Sequence, residues 1–255
     1  MIEIENITKN HIDPLRGTLK VLDDISFKVN NGELVSLLGP SGCGKTTLLN
    51  MIAGFEHPTS GTIRIDGETV HKPSPRRITI FQNYGLLPWR TVRKNVELGL
   101  ERRGLSRHDR KVRADYYLQM VGLTDFAGHH PHQLSGGMQQ RVAIARALAV
   151  DPEVIFMDEP FSALDTMTRT AMQKELLEIR ERLKTTVIFV THDIDEAIFL
   201  SDRVIVLTQR PGIIRADFNI ELPHHRNRQS AEFLTIKEAV TVAFEPWRKG
   251  PEYLI

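Results

Sequence analysis

At 255 residues, with a formal net charge of +1 and a single cysteine, the chain is long enough for one large core or for one domain with an inserted subdomain. The near balance of charge gives no sign of a nucleic-acid surface, and Cys43 alone allows no intrachain disulfide, so a reducing compartment is expected. No apolar run approaches the roughly 18–20 residues of a membrane span, and the start, MIEIENITKN, has no apolar stretch of signal-peptide type, so the expectation is a soluble, cytoplasmic chain.

In chain order, Ile2 to Thr8 and Ile25 to Val29 alternate like half-buried strands, and Gly61 to Ile65 does the same. Leu34 to Leu38, Val154 to Met157 and Val187 to Val190 are instead short, nearly continuous apolar runs. Each precedes a loop and a helical pattern, as parallel strands buried on both faces do. From Pro88 to about Ala149 helical periodicity takes over, with candidate helices Val92 to Leu100, Val112 to Met120 and Met138 to Leu148. This segment reads as a helical subdomain inserted into a parallel-sheet core. A domain over 1–222 is followed by a tail, 223–255, with a charged HHRNR run and an expected helix from Ala231 to Phe244.

Four groups of residues carry chemistry. Gly39-Pro40-Ser41-Gly42-Cys43-Gly44-Lys45-Thr46-Thr47 matches the phosphate-loop pattern in full and lies between a predicted strand and a predicted helix. Its glycines let backbone N–H groups turn inward on phosphates, Lys45 reaches the terminal phosphates, and the Thr46 hydroxyl can ligate Mg²⁺. Cys43 reads as a small residue filling the loop rather than as a reactive thiol. The strand Val154 to Met157 ends in Asp158 and Glu159, where the first acid can hold Mg²⁺ and the second can orient or deprotonate an attacking water. Gln82 and His192 stand at the ends of two further predicted strands, the edge at which parallel sheets bind ligands. Finally, Ser135-Gly136-Gly137 opens an amphipathic helix with Val142, Ala145 and Leu148 on one buried face. A capped, glycine-rich helix start favours anions.

Leu134-Ser-Gly-Gly-Met138 followed by Gln139-Gln-Arg-Val-Ala-Ile-Ala-Arg-Ala147 resembles the signature motif of ATP-binding-cassette (ABC) ATPases. The order and spacing of the phosphate loop, Gln82, the signature, Asp158-Glu159, Ser162-Ala-Leu-Asp165 and His192 resemble that family too, from about Ile2 to Ile220. The resemblance implies an α/β fold: a P-loop NTPase (RecA-like) core, an antiparallel β subdomain and an inserted helical subdomain. It implies ATP and Mg²⁺ as cofactors, with each ATP held between one chain's phosphate loop and the signature helix of a second cassette. Glu159 would be the general base, His192 the γ-phosphate switch, and Gln82 a Mg²⁺ ligand that also senses a membrane partner. Ser135, Gly136 and Gly137 would meet the γ-phosphate in trans, Asp165 would lie at the dimer interface, and the region from Gln82 to about Leu100 would receive the partner's coupling helix. Thr8-Lys-Asn-His11 resembles the context of the family's adenine-stacking aromatic, with His11 in the aromatic's place and an extension, Ile12 to Lys20, beside it. Met138 stands where the family often has Gln.

Gly85-Leu-Leu-Pro-Trp89, Glu159-Pro-Phe-Ser-Ala-Leu-Asp165 and Arg210-Pro-Gly212 resemble the nitrate/sulfonate/taurine/bicarbonate import group. The expected partners are then a second ABC ATPase subunit, transmembrane permease subunits and, indirectly, a periplasmic substrate-binding protein, with the chain peripheral on the cytoplasmic face of the membrane. Trp89 is expected both to pack and to contact the partner. His129-His130-Pro-His132 reads as a solvated loop in preference to a metal site. The rival class is a soluble ABC ATPase acting on nucleic acid or ribosomes. Such proteins usually carry a long coiled-coil insertion or two cassettes in one chain; neither is present, nor is a basic excess. A non-hydrolysing regulatory cassette is opposed by intact Lys45, Asp158, Glu159 and His192.

Overall fold

The alternating residues of the N-terminus form a hairpin in the computed structural model, which describes residues 1–13, 17–81, 83–162, 164–183, 185–223 and 226–245. Strand β1 (Ile2–Asp13) runs antiparallel to β2 (Gly17–Val29), and the pair buries Ile2, Ile4, Ile7, Ile25, Phe27 and Val29. The stretch expected as an extension contributes the far end of this hairpin, where His11 pairs with Leu19 and Ile12 with Thr18. After β3 (Leu34–Leu38), buried at every position, come α1 (Lys45–Ala53), β4 (Ser60–Ile65) and β5 (Glu68–Thr69). The antiparallel sheet has the order β2-β1-β4-β5.

These elements belong to a compact unit made of Met1–Pro73 and Thr186–Ile255; a second unit, Ser74–Thr185, is inserted between its halves. The second unit holds β6 (Arg77–Ile80), α2 (Val92–Glu97), α3 (Arg107–Met120), α4 (Gly136–Leu148), β7 (Val154–Asp158) and α5 (Thr166–Leu183). β6 and β7 pair in parallel, and α2, α3 and α4 pack on one another. The caps decide where these three helices start, because the side chains of Thr91, Ser106 and Ser135 each accept from a backbone N–H three residues on. That is why α3 begins at Arg107 and not at Val112: Ser106 and Asp109 cap a polar first turn before the apolar period begins.

The first unit resumes with β8 (Thr186–Thr191), α6 (Ile194–Leu200), β9 (Arg203–Leu207), β10 (Ile214–Asn219) and α7 (Ala231–Phe244). Its strands run in the order β10-β9-β3-β8, with β3 parallel to β8 and to β9, and β10 antiparallel to β9. The expected tail helix is α7, capped by Ser230 and resting on α6 through buried Phe233 and Val240 and an ion pair of Lys237 with Asp195 at 2.7 Å. Of the charged run before it, His224 and His225 lie outside the described residues, while Arg226 turns inward. Arg226 is 6% exposed, and its guanidinium donates to the carbonyl oxygens of Ile198, Ser201, Ile220 and Leu222, so the burial of its charge is offset by backbone acceptors.

Candidate functional site

The first unit supplies an anion cradle. β3 ends at Leu38, and the chain turns through the phosphate loop before α1 begins at Lys45. Gly42 and Gly44 take φ of +77° and +104°, a backbone conformation that L side chains rarely adopt, and Gly44 caps α1 without a side chain. Lys45 is buried and donates from Nζ to the carbonyl oxygens of Gly39 (2.7 Å) and Pro40 (3.0 Å). The first turn of α1 contains no acid, so helix dipole and lysine both favour a negative ligand. Cys43 is fully buried, its Sγ 2.7 Å from where a Cβ on Gly39 would sit, and burial pushes its thiol pKa up. It is a packing residue of the loop, and the reactive-thiol reading falls.

The strand register brings His192 to this cradle. Leu38 of β3 pairs with Thr191 of β8, so Gly39 and His192 leave the sheet side by side at its carboxyl edge. The turn that carries His192 is held by Asp193 N–H donating to Thr191 Oγ1 (3.0 Å), Thr191 Oγ1 donating to Glu196 Oε2 (2.7 Å) and Asp193 capping α6. His11 is exposed on β1, opposite Leu19 and two positions along β2 from Val21. Val21 in turn packs on the loop, its Cγ1 3.1 Å from a Cβ built on Gly44. His11 Nε2 also lies 3.9 Å from Glu56.

The second unit carries the acids and the signature. Asp158 ends β7, and Glu159 adopts a left-handed backbone with φ +44°, rare for a residue with a side chain. The following turn is closed by Ser162, whose N–H and Oγ–H both donate to the Glu159 carbonyl oxygen, at 3.2 and 2.9 Å. Ile80 pairs with Met157, so the chain leaves β6 at the edge where Asp158 stands; Gln82 itself lies outside the described residues, as does Ala163. Asp165 accepts from the N–H groups of Met167 and Thr168 at the start of α5, and its hydrogen bonds with Thr168 hold its carboxyl below the usual range.

At the signature, Ser135 is the N-cap of α4 and its Oγ accepts from Met138 N–H at 3.3 Å, which leaves the hydroxyl proton for another acceptor. Ser135 and Gly136 are exposed, whereas Gly137 is buried and a Cβ on it would sit 2.6 Å from Thr168 Cγ2. Val142, Ala145 and Leu148 are buried as expected, together with Ala143, Ile144 and Ala147. Sequence reasoning missed Arg146 in this helix. Its guanidinium donates to the carbonyl oxygens of Tyr84 (2.7 Å) and Gly85 (2.6 Å), consecutive residues in left-handed conformation. The signal was there: a charged residue inside an apolar run needs acceptors.

One expectation needs adjusting. Trp89 is 72% exposed in the loop before α2, so it is not a packing residue. His130 and His132 stack ring on ring at 5.8 Å, and the described residues contain no group of three or more His, Cys, Asp or Glu arranged to hold a metal. Hard oxygen donors of the kind Mg²⁺ takes are present singly, in the exposed Thr46 beside Lys45 and in Asp158 at its strand end. The glycine loop with its buried lysine fits a triphosphate.

Comparison with known proteins agrees with this chemistry. Residues 22–162 match the family model described as ABC transporter. The nitrate import ATP-binding protein NrtD of Synechocystis sp. is 50% identical over 82% of this chain and 78% of its own length. The aliphatic sulfonates import ATP-binding protein SsuB of Bacillus cereus is 44% identical over 96% of both chains. Among solved structures, a dimeric ATP-binding cassette in a post-hydrolysis state bound to ADP and Pi is 36% identical, with a TM-score of 0.75 over 88% of this chain and 100% of that one. The chain belongs to the ABC transporter family and is an ATPase of the ATP-binding-cassette type.

Proposed function

We propose that this ATPase is the energy-coupling subunit of an importer for a small anion or organosulfur compound, of the nitrate, sulfonate, taurine or bicarbonate type. The single observation that carries the reading is the match along nearly the whole chain to an aliphatic sulfonates import ATP-binding protein. The partners are a second cassette, a transmembrane permease and, through the permease, a substrate-binding protein. Among the described residues no helix is long and apolar enough to cross a membrane, which agrees with a subunit that binds peripherally to a permease at the cytoplasmic face.

The chain's own residues divide the work. Residues Gly39 to Thr47 hold the phosphates of ATP, with Lys45 neutralising the terminal ones, and His11 packs on the adenine. Thr46, Gln82 and Asp158 would hold Mg²⁺, which would supply neutralisation of phosphate charge. Glu159 orients the attacking water and takes its proton, and His192 bonds the γ-phosphate. Ser135, Gly136 and Gly137 offer a hydroxyl and N–H groups to the γ-phosphate of ATP on the opposite cassette, so that ATP joins two chains and hydrolysis releases them. The arrangement of Gly39 beside His192 at one sheet edge and the exposed, capped start of α4 support these roles.

The test is co-expression with the products of the genes adjacent to this chain's own, which on this reading include a permease and a substrate-binding protein. Copurification with the permease, and ATPase stimulation by the loaded binding protein in proteoliposomes, are expected. Copurification with nucleic acid and no response to the permease would overturn the import reading.

A further inference from the structure

The turn after β9 contains Arg210-Pro211-Gly212, whose position was not legible from spacing. β9 runs beside β3 with Val206 opposite Leu38, so the chain leaving β9 passes the phosphate loop. The turn is closed on itself by Thr208 N–H donating to Ile213 O and Ile213 N–H donating to Thr208 Oγ1, both at 3.0 Å. It is tied to the hairpin by Gly212 N–H donating to Val21 O (2.8 Å) and Asp23 N–H donating to Gly212 O (3.0 Å). From that anchored position it touches two successive carbonyls of the loop. The Arg210 guanidinium donates to Gly42 O from Nη2 (3.1 Å) and Nε (3.3 Å). Gly212 lies so close to Cys43 O that a Cβ on it would be 2.3 Å away.

A trans peptide unit is planar, with its C=O and N–H on opposite sides. Holding Gly42 O on Arg210 therefore aims Cys43 N–H the other way, where it donates to Pro40 O at 3.3 Å, the carbonyl that Lys45 Nζ also meets. Packing Cys43 O against Gly212 orients Gly44 N–H by the same rule. We propose that Arg210 and Gly212 are positioning residues of the phosphate loop, locking the Gly42–Cys43 and Cys43–Gly44 peptide planes so that Cys43 N–H stays on Pro40 O, fixing the curl of the loop, and Gly44 N–H is held ready for the phosphates. The inference rests on Gly39 to Thr47 holding the phosphates of ATP. Donors oriented before binding cost no reorganisation when the anion arrives.

Cys43 reports on this arrangement without relying on activity. Its thiol is buried and packed in the loop, so iodoacetamide should reach it slowly in the full chain. Arg210→Ala should weaken ATP binding, measured by calorimetry with Mg²⁺, roughly three- to tenfold, as loss of an ordinary hydrogen bond does. The same substitution should speed alkylation of Cys43 in the absence of nucleotide. The sign is informative, because the Arg210 charge lowers the thiol pKa and its removal alone would slow the reaction. Arg210→Lys keeps the charge with fewer donors and should fall between the two. Gly212→Ala should have a larger effect of the same kind, and a thermal melt separates it from misfolding; exposed Arg210 carries the test if Gly212→Ala fails to fold. Wild-type Kd and wild-type thiol protection in Arg210→Ala would overturn the proposal. Weaker binding with the thiol still protected would also overturn it, making Arg210 a direct phosphate contact. Failure of the unaltered chain to bind ATP would instead strike the phosphate-loop reading beneath it.

Discussion

The two glycine-rich helix starts, at α1 and α4, meet the same local need in different ways. Each leaves backbone N–H groups without intrahelical partners, which makes it attractive to anions. At α1 the cap is Gly44 in a left-handed conformation with no side chain to accept from the helix, and the cation, Lys45, is buried within the loop. At α4 the cap is the Ser135 hydroxyl, and Ser135 and Gly136 are exposed. The first turn of α4 brings no cation, and Arg141 is committed to Glu175 at 3.0 Å. The α1 end is a self-contained cradle. The α4 end has donors but no charge of its own, as expected of a surface that completes a site on another chain.

The largest expected effect sharpens this comparison by stopping the chemistry while leaving both anion ends intact. Glu159→Gln should lower kcat by about 10²–10⁴-fold, the usual contribution of a general base, and ATP-bound dimers should accumulate in size-exclusion chromatography. Unchanged turnover by monomers would remove Glu159 from its role. Next, Ser135→Arg should lower hydrolysis by about 10²-fold or more, as loss of a charge-stabilising donor does, while isolated monomers bind ATP as before. Loss of monomer binding in calorimetry would mean that the α4 end serves its own chain, and the contrast with α1 would collapse. The smallest effects separate the two signature glycines. Gly137→Ala forces a Cβ to within 2.6 Å of Thr168 Cγ2 and should cost about 1–3 kcal/mol in a thermal or urea melt. A Cβ on Gly136 meets nothing nearer than 3.6 Å, so Gly136→Ala should stay within about 1 kcal/mol. Equal losses at both positions would contradict the assignment of one glycine to packing and the other to an open surface.

Features whose cause is local were legible in the sequence. The phosphate loop, the Ser135 cap and the tail helix depend on residues within a turn of one another, so glycine spacing, capping side chains and apolar period suffice to place them. Features made by distant partners were not. Ile12 and Leu19 are exposed, and the far end of the hairpin exists because β1 pairs with β2, not because of any apolar pattern. β10 went unread for a related reason: it alternates between exposed and half-buried residues and depends on its pairing with β9. β9 itself is a buried apolar run of the same kind as β3, legible by the same signal. Arg226 sits in a charged run, and only the converging carbonyls of Ile198, Ser201, Ile220 and Leu222 explain its burial.

By itself the sequence determined the local chemistry of this protein: a glycine-rich loop with a lysine that fits phosphates, acids at the end of a strand, and a serine-capped, glycine-rich helix start. Those are properties of residue types at fixed short separations, where backbone geometry leaves few choices. Tertiary structure alone decided that His192 leaves the sheet beside Gly39, and that Arg210 and Gly212 reach the carbonyls of Gly42 and Cys43. Each of these depends on strand register and on turns brought together from opposite ends of the chain, and no short-range pattern specifies such contacts.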